Sequence, residues 1–181
     1  MIRFPFKINE ESKIINYKNR GMSFEQEINE SNEYYIENSI ALIYKKPTPI
    51  KIVKCENNTI TEGYFEHKST TDYCGVFKGK FIDFEAKSVA SKTSFPLSNI
   101  RKNQLIHAEN VIKNNGVSFF FVEFYNLEKY FILFSYDVLN FIETHNKKSI
   151  PLNYFIEKGI EIKRGLNPPL DYIKSIEEYI Y

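Results

Sequence analysis

Apolar and polar positions along the chain change spacing several times, and each change marks an element. Met22, Glu25, Ile28 and Asn29 recur at helical intervals after Gly21, so a helix is predicted over about 22–32, extending toward residue 38. Residues 39–45 are a short apolar run of strand length. Pro47 and Pro49 then exclude a central strand. The extended basic stretch 50–54, the turn signal Glu56-Asn57-Asn58 and the run 59–65 predict a projecting two-stranded arm over 46–68. A ribbon of that kind is marginal by itself and is expected to move until it meets a partner. Residues 73–77 and 80–87 read as a β-hairpin around Lys78-Gly79. A helix follows Pro96, with Ser98 as N-cap, Leu105, Ala108, Val111 and Ile112 on its apolar face, and Gly116 as its stop. Residues 117–124 and 129–134 are two more strands, and Ser135 caps a helix to about His145. Residues 1–20 read as a flexible arm, and 151–181 as a tail ending in a weak helix beyond Pro168-Pro169.

Composition adds limits to this pattern. A chain of 181 residues with 43% hydrophobic content builds one core. It lacks both a run of ~20 apolar residues and a signal-peptide apolar region, so a soluble, cytoplasmic protein is expected, with no membrane partner. Cys55 and Cys74 form no CxxC pair and have no histidine cluster nearby, which argues against a disulfide framework or a zinc site. His67, His107 and His145 are scattered, and His107 reads as a surface residue on the face it shares with Gln104. The net charge is +1, but residues 40–105 hold eleven Lys/Arg against six Asp/Glu. Positive charge concentrated in the segment that also carries the candidate chemistry suits a polyanionic partner.

That chemistry lies in Lys80-Phe81-Ile82-Asp83-Phe84-Glu85-Ala86-Lys87. Strand alternation puts Asp83, Glu85 and Lys87 on one surface and sends Ile82, Phe84 and Ala86 to the core. If Lys78-Gly79 is the two-residue turn, Phe77 faces Lys80 and Asp72 falls directly opposite Glu85. Opposed Cβ atoms are then roughly 4.5–5.5 Å apart. Two carboxylates so close repel each other unless a hard dication such as Mg²⁺ bridges them. A bulge at Gly75 would shift the register by one. Lys87 on the same surface is placed to stabilise charge on a phosphate. A bare acid-x-acid-x-lysine strand is more often just a charged edge, so the pairing with Asp72 is what points to function.

Several motifs in order give the chain a wider resemblance. Gly21-Met22-Ser23-Phe24-Glu25-Gln26-Glu27-Ile28-Asn29, Tyr44-Lys45-Lys46-Pro47-Thr48-Pro49-Ile50-Lys51-Ile52-Val53-Lys54, Ser69-Thr70-Thr71-Asp72-Tyr73, the run from Lys78 to Lys87, Lys92-Thr93-Ser94-Phe95-Pro96-Leu97 and Gln104 resemble the successive motifs of RecU-type Holliday-junction resolvases. The likeness spans about residues 21–141. It implies an α/β, restriction-endonuclease-like fold with a mixed central sheet flanked by helices, a nuclease domain over 21–150 and a protruding stalk over 46–68. It also implies a homodimer, a four-way DNA junction as substrate, paired nicks during recombination and repair, and partnership with the recombinase RecA.

By the same resemblance Asp72, Glu85, Thr70, Gln104 and Glu25 form a Mg²⁺ site, with Mn²⁺ as the alternative ion. Lys87 and Gln104 join Asp72 and Glu85 in catalysis, and Lys45, Lys46, Lys51, Lys54, Lys80 and Lys92 bind DNA. Asp83 matches an acidic position of the motif and takes a secondary role. Two other readings stay open at this stage: a junction-binding accessory factor that modulates RecA, and a nuclease with no preference for junctions.

Overall fold

The computed structural model describes residues 24–65 and 70–180; the arm expected over 1–20 lies outside them. The chain runs through α1 (Phe24–Glu37), β1 (Leu42–Lys45), β2 (Ile50–Glu56), β3 (Thr59–Phe65), β4 (Tyr73–Phe77), β5 (Lys80–Val89) and β6 (Ser94–Pro96). It continues through α2 (Lys102–Lys113), β7 (Val117–Phe124), β8 (Lys129–Phe134), α3 (Ser135–Thr144), β9 (Ser149–Pro151), α4 (Leu152–Lys158), β10 (Ile160–Ile162) and α5 (Tyr172–Ile176). Among the described residues the central sheet has the order β1-β4-β5-β7-β8-β10. It is mixed: β5 and β7 are parallel, joined across α2, and the other neighbours are antiparallel.

Both faces of this sheet are covered. On one, Ile82 and Phe84 of β5 pack with Phe119 and Phe121 of β7, under Phe24, Ile28 and Tyr35 of α1. On the other, Phe120 and Val122 pack with Leu133 of β8 and with Val138 and Phe141 of α3, and Phe155 of α4 closes the cluster. Two-sided burial explains why β7 reads as a nearly continuous apolar run with no clean alternation. The hairpin turn has positive φ at both Lys78 (47°) and Gly79 (77°), the backbone of a type I′ turn matched to strand twist. Phe77 faces Lys80 and Tyr73 faces Phe84 with no bulge between. Gly75 instead serves close packing, since a Cβ there would meet the Ile43 Cα at 2.6 Å.

Three expectations are corrected. First, α2 begins at Lys102, and Ser98 lies in a 3₁₀ turn over Leu97–Asn99. The Gln104 side chain accepts the Arg101 N–H at 2.9 Å, which satisfies a free donor at the true start of the helix. Second, Ser135 is not a cap. It is buried inside α3 and shares a 2.8 Å hydrogen bond with Ser118 of β7.

Third, the segment read as a C-terminal tail belongs to the core. β10 pairs with β8 as an edge of the central sheet, and Leu170, Tyr172, Ile173 and Ile176 are buried against α1 and β5. The Tyr35 hydroxyl donates to the Leu170 carbonyl at 3.0 Å, and the Tyr172 hydroxyl donates to Asn32. Short helices with weak periodicity hid this contribution, because their order comes from packing and not from local propensity. Replacing Tyr172 with Ala is expected to cost about 3–5 kcal/mol, the range for an aromatic lost from a core. Urea unfolding measures it, and a loss below about 1 kcal/mol would be typical of a surface site instead.

Candidate active site

The ring stack behind the site sets its geometry. Tyr73, Phe84 and Phe119 lie side by side across β4, β5 and β7, with centroids 4.8 and 4.7 Å apart and rings nearly parallel. On the opposite face, one step along, the same register puts Asp72 opposite Glu85. Asp72 Oδ2 accepts the Ala86 N–H at 3.2 Å, which ties the residue before β4 to the strand that carries Glu85.

Glu85 is only 1% exposed, and Asp83 is wholly buried. The surface shared by Asp83, Glu85 and Lys87 is therefore no open face: α2 lies over it and brings Gln104 and His107 inward. Lys87 Nζ donates to Glu85 Oε1 at 2.5 Å, while Glu85 Oε2 is buried with no partner. Burial pushes the Glu85 carboxyl up to about 7; the Lys87 hydrogen bond opposes this, and the Asp72 charge adds to it. Gln104 is also buried, close enough to Glu85 to favour its charged form, and its side-chain oxygen accepts the Arg101 N–H at 2.9 Å.

An unpartnered buried carboxylate oxygen beside a second carboxylate is a donor set that fits a hard cation. Mg²⁺ commonly takes one or two carboxylates and fills its other positions with water and phosphate oxygens. Among the described residues no three His, Cys, Asp or Glu side chains converge as a complete cage. Glu25 does not join the pair: its exposed carboxylate is held by Lys45 at 2.6 Å. Thr70 lies beside the site, where its hydroxyl accepts from Lys46 at 3.2 Å.

The lysines expected to hold DNA are placed unequally. Lys51 and Lys54 stand on the exposed stalk, Lys51 with its ammonium 5.9 Å from the Tyr64 ring centre and Lys54 paired with Glu56 at 2.7 Å. Lys92 is exposed and Lys80 half-buried. Lys46 points inward instead, donating to Asp83 Oδ2 and Thr71 Oγ1, each at 2.5 Å. Sequence reasoning missed this, and missed His107, whose Nε2 lies 3.2 Å from Asp83 Oδ2 without a hydrogen bond. A signal existed for Lys46: carrying the β1–β4 pairing one residue beyond Lys45↔Tyr73 puts it opposite Asp72, on that residue's face.

A mixed sheet between helical layers, with one carboxylate leading into a hairpin strand and a Glu-x-Lys pair on the next, defines a protein of the restriction-endonuclease-like nuclease class. The comparison with known families narrows this: residues 19–178 match the model of Recombination protein U, RecU. The chain belongs to that family. Its relatives include the Holliday junction resolvase RecU of Lactobacillus helveticus, 42% identical over 173 residues covering 93% of this chain and 82% of the relative. The proteins of the same name from Pediococcus pentosaceus and Streptococcus pneumoniae are 44% and 38% identical, covering 91% and 99% of this chain and 86% and 97% of theirs.

The position of Glu85 has a consequence for metal-free stability. Its carboxyl titrates at about 7 in the folded chain but near 4.5 when unfolded, so the folded state holds the proton more tightly. Its contribution is intact below pH 4.5 and is lost as pH rises toward 7, by on the order of 3 kcal/mol. In EDTA, Glu85→Gln should therefore gain stability over the parent between pH 5 and pH 8, measured by urea unfolding. An identical difference at both pH values would contradict it.

Proposed function

We propose that this RecU-family protein resolves four-way DNA junctions by metal-dependent hydrolysis of backbone phosphodiesters. The observation that carries the reading is Glu85 Oε2, buried and unpartnered on the strand that faces Asp72. The names of the relatives support the substrate, and the exposed Lys51 and Lys54 of β2 are in keeping with a polyanion.

In this reading Asp72 and Glu85 hold a divalent ion, Mg²⁺ or Mn²⁺, with Thr70 and Gln104 as neighbouring oxygen donors. When bound, the ion supplies charge neutralisation at the phosphate and acidifies water. Lys87, already 2.5 Å from Glu85, supports the negative charge that develops on the phosphate oxygens. Glu25 serves this site only by holding Lys45 at the root of the stalk. Lys45, Lys51, Lys54, Lys80 and Lys92 contact phosphates and so position the DNA without reading its sequence.

Two strands must be cut symmetrically, which calls for two sites and hence a homodimer. Contact with a RecA-type recombinase, which rests on the family resemblance, and a cytoplasmic location, which rests on the lack of a long apolar run in the sequence, complete the reading. Among the described residues no helix is long and apolar enough to cross a membrane.

A synthetic four-way junction incubated with the protein and Mg²⁺ tests the proposal. Paired nicks at symmetric positions are expected, and Asp72→Ala should lower the rate by at least about 100-fold, because the ion then loses one of the two carboxylates that hold it. Retarded junctions that are never cut, with Mg²⁺ or with Mn²⁺, would favour the accessory-factor reading. Equal competition by linear duplex would point to a nuclease without junction preference.

A further inference from the structure

Asp83 is fully buried, yet nothing assigned so far to metal or phosphate uses it. Its Oδ2 accepts from Lys46 Nζ at 2.5 Å and from Thr71 Oγ1 at 2.9 Å. Lys46 Nζ also donates to both Thr71 and Thr70. These partners have a particular place in the chain. Lys46 directly follows β1 and leads into the stalk, and Thr70 and Thr71 lie between the stalk and β4.

The stalk strands β2 and β3 pair with each other in a sheet of their own, and every residue in them is exposed. Packing therefore does little to fix the stalk's direction; its two roots must do so. Both roots meet at one carboxylate, and that carboxylate is on β5, two residues before Glu85 and on the same face. Lys46 adds a backbone tie, its N–H donating to the Asp72 carbonyl at 2.8 Å.

We infer that Asp83 is a positioning residue that pins both roots of the stalk, through Lys46 and Thr71, to the strand carrying Glu85, so that the stalk and the Asp72–Glu85 pair move as one body. The inference rests on the nuclease reading above. A buried ion pair is an inefficient way to add stability, since apolar residues of similar volume serve as well or better. Directional bonds from one carboxylate to two chain segments instead fix orientation. A loosened pin shifts the strand that sets Glu85 against Asp72, and a misplacement of about 1 Å at a reacting centre costs on the order of 100-fold in rate.

The test uses the full-length protein, with a spin label on Cys55, which is exposed on the stalk while Cys74 is buried. Asp83→Asn and Lys46→Met keep the side-chain shapes and remove the charges. For each, single-turnover cleavage of a synthetic four-way junction should fall roughly 10- to 100-fold. Junction affinity with Ca²⁺ in place of Mg²⁺ should stay near that of the parent, and the label on the DNA-free protein should become more mobile. The double variant should be no worse than the poorer single one, because both remove the same contact. Lys46→Arg, which keeps a cation, should recover part of the rate.

Unchanged label mobility in both single variants would overturn the inference. So would cleavage falling in parallel with affinity, which is the signature of a plain DNA contact. If Asp83→Asn does not fold, Lys46→Met and Thr71→Val carry the same measurements. If the unaltered protein cuts no junction, the nuclease reading fails, and the mobility of the Cys55 label still decides whether the pin exists.

Discussion

A slip of one residue between β4 and β5 would turn every side chain of one strand to the other face and leave Asp72 and Glu85 on opposite sides of the sheet. Three features hold the register against that slip. The Lys78-Gly79 turn takes the left-handed backbone that a two-residue hairpin needs. The Tyr73, Phe84 and Phe119 rings stack in line across three strands, so a shift would break two ring contacts at once. β1 then closes against Gly75, whose missing Cβ admits the neighbouring backbone. The site follows from this alignment: Glu85 is on β5, and Asp72, directly before β4, is tied to β5 through the Ala86 N–H.

Fixing the register also places charge where water is scarce. Asp83 and Glu85 sit on a strand covered on both faces, and burying a carboxylate is costly unless it is paired. Asp83 is bonded to Lys46 and Thr71 through Oδ2 and Glu85 to Lys87 through Oε1, and each keeps a second oxygen that is buried without a partner. Position separates their roles: the bonded oxygen of Asp83 meets both roots of the stalk, whereas Glu85 lies opposite Asp72, the second carboxylate that a cation would use. A third buried acid, Glu27 of α1, is bonded at both oxygens. Arg164 donates to it from Nε at 2.5 Å and Tyr130 at 3.2 Å, which clamps the C-terminal segment to the first helix.

The stalk is the counterpart to this tightly packed body. Ile50, Ile52, Val53, Ile60, Tyr64 and Phe65 are all exposed on it, more apolar surface than a two-stranded ribbon can shelter. Such a ribbon depends on a rigid base for its direction, and the base here is the bond network around Asp83. The same few residues thus link the most exposed part of the chain to the most buried.

Much of this was legible in the residue order. The hairpin turn follows from Lys78-Gly79, the opposition of Asp72 and Glu85 from strand alternation, and the exposed ribbon from Pro47, Pro49 and the Glu56-Asn57-Asn58 turn, because these depend on local backbone sterics and a period of two. What needed the tertiary structure depends on contacts between distant segments. Ser98 carried a good capping side chain, yet Gln104 and the β6–β9 pairing set the start of α2. Residues 152–180 lacked a strong period because neighbours, and not propensity, order them. Lys46 read as a surface cation and Glu25 as a ligand, and packing reversed those positions: the lysine is drawn into the buried carboxylate, and the glutamate is left outside with Lys45. A sequence fixes which face a strand residue takes; which helix covers that face, and so which charges lose their water, is decided only when the chain has folded.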